Sequence, residues 1–280
     1  MGKDKQSAMN GKLLKEDYDE PQALLNMHPE SKLIPVGRVM EKLDAYLNRK
    51  DYAAAGRHLQ YWLAEAEACR DFRGKLTVLN EQIGLYRKTD REAECLQTAS
   101  AAISLADELG LEKTVTYGTT LVNAATGFKA FGKVEEALPL YRRARTVYET
   151  YLDEADGRLG GLYNNMALTL SELGAYREAE ELFRKAIHVM EQQENGALEV
   201  AITYLNLADL AAAEYGLEAA EEEIQKDLTK AEALLNDESL PRDGYYAFVC
   251  EKCAPGFGYY GYFLTKRELE RRAKEIYDRT

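Results

Sequence analysis

Two sets of residues in this 280-residue chain have types and spacings that can do chemistry. The first is "CEKCAPGFGYYGYF", residues 250–263, where Cys250 and Cys253 stand at the C-x-x-C spacing ahead of a proline, three glycines and an aromatic cluster. That spacing suits zinc or thiol–disulfide exchange. Zinc, however, needs four ligands, and the other two cysteines, Cys69 and Cys95, are far away in sequence with no second pair at ligand spacing. Redox pairs work at a helix N-terminus, where the dipole lowers the thiol pKa. Pro255 disfavours helical geometry at Ala254, so the helix is expected to stop or kink near Cys253, leaving the pair at a C-terminal end where the dipole opposes the thiolate. The favoured reading is packing: two small apolar side chains on one helix face, with Phe257, Tyr259 and Tyr260 closing the end of the fold.

The second set is amides. Asn123, Asn165 and Asn206 each precede an alanine by fourteen residues. Asparagine is a poor mid-helix residue, costing up to about 0.7 kcal/mol against alanine, so three in one register need a reason. A side-chain amide both donates and accepts, and can hold the main chain of an extended peptide whatever its sequence. The alternative is that each asparagine bonds a neighbouring helix and fixes the stack. No phosphate loop, G-x-S-x-G or H-E-x-x-H is present, and His28, His58 and His188 are scattered. No catalytic residue, metal or cofactor is expected.

The elements that must position these residues come from an internal repeat. "YNNMALTLSELGAYREAEELFRKAIHVME" (163–191) matches "VNAATGFKAFGKVEEALPLYRRARTVYE" (122–149) in its apolar periodicity and in Gly132/Gly174, Val134/Tyr176, Ala137/Ala179, Tyr141/Phe183 and Ala144/Ala186. Each copy reads as two antiparallel helices, with small residues at the close approach and aromatics in the gap. Weaker copies place marker alanines at 55, 93 and 220, besides 137 and 179, and in a sixth copy Lys266 takes the marker position. Asp227 then falls where Ala144 and Ala186 stand, which predicts an irregular fifth unit.

At these residues the chain resembles the tetratricopeptide repeat family, in the long-period kinesin-light-chain type. The order of "IPVGRVMEKLDAYL", "LGGLYNNMAL" and "CEKCAPGFGYYGYF" is similar to that of a group of bacterial tetratricopeptide proteins, which supports the fold and supplies no reaction. The resemblance implies an all-α, right-handed solenoid of about six helix pairs, with a concave groove lined by the first helices. Units are expected near 37–70, 71–110, 114–153, 157–194, 197–237 and 242–280, after an extension over 1–36 that is partly disordered or a short helix. It also implies that first-helix asparagines hold a peptide, as in kinesin light chains and in bacterial peptide-sensing receptors. The expected peptide-binding residues are Asn123, Asn165 and Asn206, with Thr126, Asn164, Leu168, Asp209 and Gln82 on the same wall. The Lys-plus-Asn arrangement with a following Lys and Arg, by which chaperone adaptors hold a carboxylate, is missing.

Composition fits these expectations. The chain is 46% hydrophobic and 30% charged, enough to bury a core. Its net charge of −12 divides as +1 over residues 1–148, −15 over 149–240 and +2 over 241–280. That distribution argues against a nucleic-acid partner, which needs clustered Lys and Arg, and leaves an acidic middle open to a basic partner. No apolar run approaches the roughly 20 residues of a membrane span, and the first residues lack a signal peptide's apolar region. A cytoplasmic, membrane-free protein is expected, binding a peptide or protein segment of unknown identity, with a homo-oligomer left open. The competing function is a scaffold or oligomerisation protein whose groove is incidental. A metal or redox protein built on Cys250/Cys253 is a remote third.

Overall fold

The computed structural model describes residues 33–279; the expected extension over 1–36 lies almost wholly outside the described residues. Among the described residues there are twelve α-helices and no strand. The chain divides into two compact units, meeting in sequence at Leu152 and Asp153. The N-terminal unit holds α1 (Val36–Asn48), α2 (Tyr52–Ala68), α3 (Phe72–Lys88), α4 (Glu92–Glu108), α5 (Val115–Ala130) and α6 (Val134–Tyr151). The C-terminal unit holds α7 (Gly157–Glu172), α8 (Tyr176–Met190), α9 (Ala197–Tyr215), α10 (Glu221–Asn236), α11 (Gly244–Tyr259) and α12 (Phe263–Tyr277). Within each unit, consecutive helices pack as pairs, and first helices also pack side by side: α3 on α5, α7 on α9, α9 on α11.

Turn chemistry sets the pair boundaries. Several helices start behind a side-chain cap: Asp51, Asp71, Thr114, Asp156 and Asp243 each accept a backbone N–H of the first turn. The turns between paired helices pass through a left-handed residue, which is glycine at 132, 174, 216 and 261. That region costs a glycine little because it has no Cβ. Asp71 is itself buried, and its other oxygen accepts the Ile34 N–H at 2.9 Å, tying the start of the described chain to α3.

The buried stripes correct the repeat register. The marker position, three residues into each second helix, is Ala55, Cys95, Ala137, Ala179 and Ile224, all buried. Ala93 is exposed, and Ala220 is the cap residue before α10. Counted from Ile224, the equivalents of Tyr141 and Ala144 are Leu228 and Ala231, both fully buried. The fifth pair is therefore regular, and Asp227 stands beside the stripe, paired with Lys230 at 3.3 Å. The sequence register slipped because two alanines lay near the true positions, while Cys95 and Ile224 fill the same space with different side chains. Lys266 keeps the marker position of the last pair, and its methylene chain lies over Gly258.

Pro255 does not stop its helix: α11 runs through it to Tyr259, and the turn that follows passes through Gly261, whose φ is +84°. Proline removes one backbone N–H, but it lies on the exposed side, while Cys253, Ala254 and Phe257 are buried and hold the turn. Phe257 is therefore core, and only Tyr259 and Tyr260 of the expected closing aromatics reach the surface. Tyr246, fully buried, donates to the Leu235 carbonyl, accepts from Arg272 and carries the Arg242 guanidinium over its ring, which plugs the last pair.

Candidate functional site

The asparagines are built as two matching amide pairs, one in each unit. In the N-terminal unit Asn123 of α5 donates its Nδ2 to Asn80 Oδ1 of α3 at 3.0 Å. Asn80 donates to the Leu76 carbonyl and to Thr120 Oγ1. In the C-terminal unit Asn206 of α9 donates to Asn164 Oδ1 of α7 at 2.9 Å, and Thr203 donates to the same oxygen at 3.3 Å. Each pair clamps two adjacent first helices, so the stack-fixing role is realised for Asn123 and Asn206. All four side chains remain half-buried.

Asn165 takes no part in either clamp. Asn206 pairs with Asn164, and the Asn165 amide has no hydrogen-bond partner among the described residues. One turn before it, a Cβ at Gly161 would meet nothing within 4 Å; one turn after it lies the half-buried Leu168. Gly161, Asn165 and Leu168 share a stripe of α7, which leaves an open strip whose central amide has no protein partner among the described residues.

The remaining expected residues divide. Thr126 turns inward, donating to the Val122 carbonyl and sharing a bond with the Tyr141 hydroxyl of α6 at 3.0 Å. Gln82 is buried. Asp209, one turn beyond Asn206, accepts from the Tyr260 hydroxyl at 2.7 Å, and partial burial raises its carboxyl above the usual range. His58 is held by the Val39 carbonyl at 2.9 Å, and His188 is exposed.

Three features of these faces carry no sequence signal comparable to the repeat. Asn80, half of the first clamp, was hidden by the slipped register. Glu81, beside it on α3, has its pKa raised to about 7 by burial and by the Asp44 carboxylate of α1. Glu199 of α9 accepts from the Tyr245 hydroxyl of α11, and burial raises its carboxyl although Lys252 opposes the shift.

Cys250 and Cys253 are buried, and loss of solvent raises both thiols, Cys253 to about 12. Such thiols are almost wholly protonated at neutral pH, the reverse of what metal ligation or exchange chemistry requires. No group of three metal-ligating side chains stands together among the described residues. No helix among them is long and apolar enough to cross a membrane.

The tetratricopeptide repeat family model matches residues 160–192, the α7–α8 pair that carries Asn164 and Asn165. No curated protein matches the sequence. Among solved structures, BtubC (BKLC) from P. vanneervenii is 20% identical, with a TM-score of 0.63 over 74% of this chain and 83% of that one. The nearly identical TPR-like repeats ascribed to a Podosopora anserina kinesin light chain are 14% identical, with a TM-score of 0.53 over 73% and 96%. A Rap protein complexed with Competence and Sporulation Factor is 16% identical, with a TM-score of 0.51 over 85% and 73%. The fold is therefore that of the tetratricopeptide-repeat proteins, and the chain carries the family's own repeat at residues 160–192.

Proposed function

We propose that this chain is a non-catalytic binding module that holds an extended peptide or protein segment against its first helices. The observation that carries the reading is the open strip of α7. A half-buried amide without a partner leaves hydrogen-bonding capacity that another main chain can satisfy. The bare Gly161 beside it admits close backbone approach. The clamp beside the strip uses only part of its capacity, so Asn206 serves the stack and keeps further hydrogen-bonding atoms. The fold is of a protein-interaction type, and the Rap relative was crystallised with another molecule bound.

The scaffold reading has one observation in its favour: both clamps are satisfied within the chain. The test separates the two amide roles. Peptides are selected on the wild-type protein from a displayed random library and measured against variants. Asn165→Ala is expected to weaken binding about five- to tenfold, equivalent to about 1 kcal/mol, without moving the melting temperature. Asn164→Ala is expected to melt earlier, because it leaves the Asn206 amide without its acceptor, while Thr203 keeps the Glu199 carbonyl. Undiminished affinity in Asn165→Ala would reject the peptide reading.

A further inference from the structure

A second candidate site lies away from the amide strip, at the end of the α9–α10–α11 stack. A cavity of about 460 Å³ opens between the turn after α9, the first turns of α10 and the turn that leaves α11. Tyr259, Tyr260 and Tyr262 line it together with Glu218 and Glu221. Leu217 is its exposed apolar residue, with the buried Ile224 and Leu228 beneath the opening, and no Lys, Arg or His lines it.

The tyrosines are held in place by contacts made elsewhere. Tyr260 is anchored through its hydroxyl to Asp209, and the Tyr259 ring stands at 84° to it with centroids 5.0 Å apart. Tyr262 rests edge-on against the buried Phe257. Two perpendicular rings and a third fixed ring offer electron-rich faces, while Glu218 and Glu221 make no ion pair among the described residues. Ring faces and unpaired carboxylates favour the same guest, an organic cation.

The surroundings select what carries that cation. An apolar floor accepts the methylene stem of a long basic side chain while its head stays among the carboxylates. Next to Tyr262 in sequence, Phe263 and Leu264 are exposed at 63% and 81%, and Tyr259 is exposed at 70%. Exposed apolar groups of that size suit apolar neighbours of the basic residue in a polypeptide better than a free amine. Residues 149–240, which supply both carboxylates, carry a net −15 that would draw a basic segment in.

We infer that this cavity is a docking site for a Lys or Arg side chain of a partner protein segment, flanked in that segment by apolar residues. The site does not depend on the amide strip and adds a charge preference that the amides cannot supply.

The test uses the full chain labelled with 3-fluorotyrosine and three probes: acetyl-Leu-Arg-Leu-amide, the same tripeptide with neutral citrulline, and butylguanidinium. The arginine peptide is expected to shift the fluorine signals of Tyr259, Tyr260 and Tyr262 saturably, with the citrulline peptide at least tenfold weaker. Glu218→Gln/Glu221→Gln and Tyr259→Ala should each weaken the arginine peptide at least fivefold with melting unchanged, since these side chains are exposed. Asn165→Ala should leave this affinity unaltered, so failure here and failure of the amide strip are distinguishable. Equal binding of the citrulline peptide, or indifference to the double substitution, would overturn the site. Butylguanidinium binding as tightly as the peptide would overturn its assignment to a partner segment.

Discussion

The close approach of paired helices is built twice, 42 residues apart, with the same small residue and different filler. In the N-terminal unit Gly118 of α5 lies under the Tyr148 ring of α6, and a Cβ there would stand 2.5 Å from a ring carbon. In the C-terminal unit Gly160 of α7 lies under Met190 of α8, where a Cβ would stand 2.5 Å from the sulfur. The distances are equal, but the neighbours differ in what they can do. Tyr148 is rigid and shares a hydrogen bond with Thr119 at 2.9 Å, whereas Met190 has three rotors and a soft sulfur. A repeat thus conserves the space between helices while leaving its stiffness open, and the N-terminal copy is the stiffer of the two.

That difference is breakable. Gly118→Ala should destabilise the N-terminal unit by about 2–3 kcal/mol, because the ring must leave its place and its bond to Thr119. Gly160→Ala should fall within about 1 kcal/mol of wild type, since Met190 can swing aside and alanine gains up to about 1 kcal/mol of helix propensity over glycine. Urea unfolding with hydrogen exchange resolved by helix pair measures both. Equal losses would show that backbone spacing, and not filler stiffness, decides.

The buried carboxylates differ in a similar way. Glu199 in the C-terminal unit has Lys252 to oppose its burial, whereas the shift of Glu81 in the N-terminal unit comes from burial and from Asp44, both in the same direction. Folded, Glu81 keeps its proton up to about pH 7; its ordinary value is 4.5. Between those values the native state binds more protons than the unfolded state, so stability falls as pH rises. This contribution is complete below about pH 4.5 and lost above about 7. Glu81→Gln is expected to raise stability at pH 8 by about 1–2 kcal/mol and to flatten that slope in thermal melts across pH 4–8. An unchanged slope would place the titration elsewhere.

The turns give the smallest contrast. The turns of the first two pairs hold Lys50 and Asp90 at φ 56°, whereas the later pair turns use glycine, at 132 in the same unit and at 174, 216 and 261 in the C-terminal unit. A side chain in that region is strained by its Cβ, though glycine also frees the unfolded chain. Lys50→Gly should therefore add about 0.5 kcal/mol in denaturant titration, and Gly174→Ala should remove about 1 kcal/mol. A loss in Lys50→Gly would mean that the lysine side chain holds the turn.

Much of the fold was legible because helix pairs write themselves in a 3.6-residue apolar rhythm, punctuated by left-handed turns. The third and fourth pairs, with Gly132, Ala137, Tyr141 and their partners 42 residues on, could be aligned residue by residue. Registers failed where composition misled: Ala93 and Ala220 mimic the marker that Cys95 and Ile224 occupy. Pro255 read as a helix end because local preference was all the sequence offered, and burial of Cys253, Ala254 and Phe257 outweighed it.

The candidate sites divide along the same line. Asn123, Asn164, Asn165 and Asn206 stand out by type alone, since mid-helix amides need a reason. Which of them are clamped to each other and which is left open depends on lateral contact between helices some forty residues apart, and no local pattern encodes that. The cavity among Tyr259, Tyr260 and Tyr262 is likewise a product of packing, for it needs Asp209 to anchor one ring and a distant segment to bring Glu218 and Glu221 into its lining. The sequence by itself determined the helix pairs, because periodicity and turn residues act within a few positions. Tertiary structure alone decided partnering, burial and the shifted carboxylates, because these arise where distant segments exclude water together.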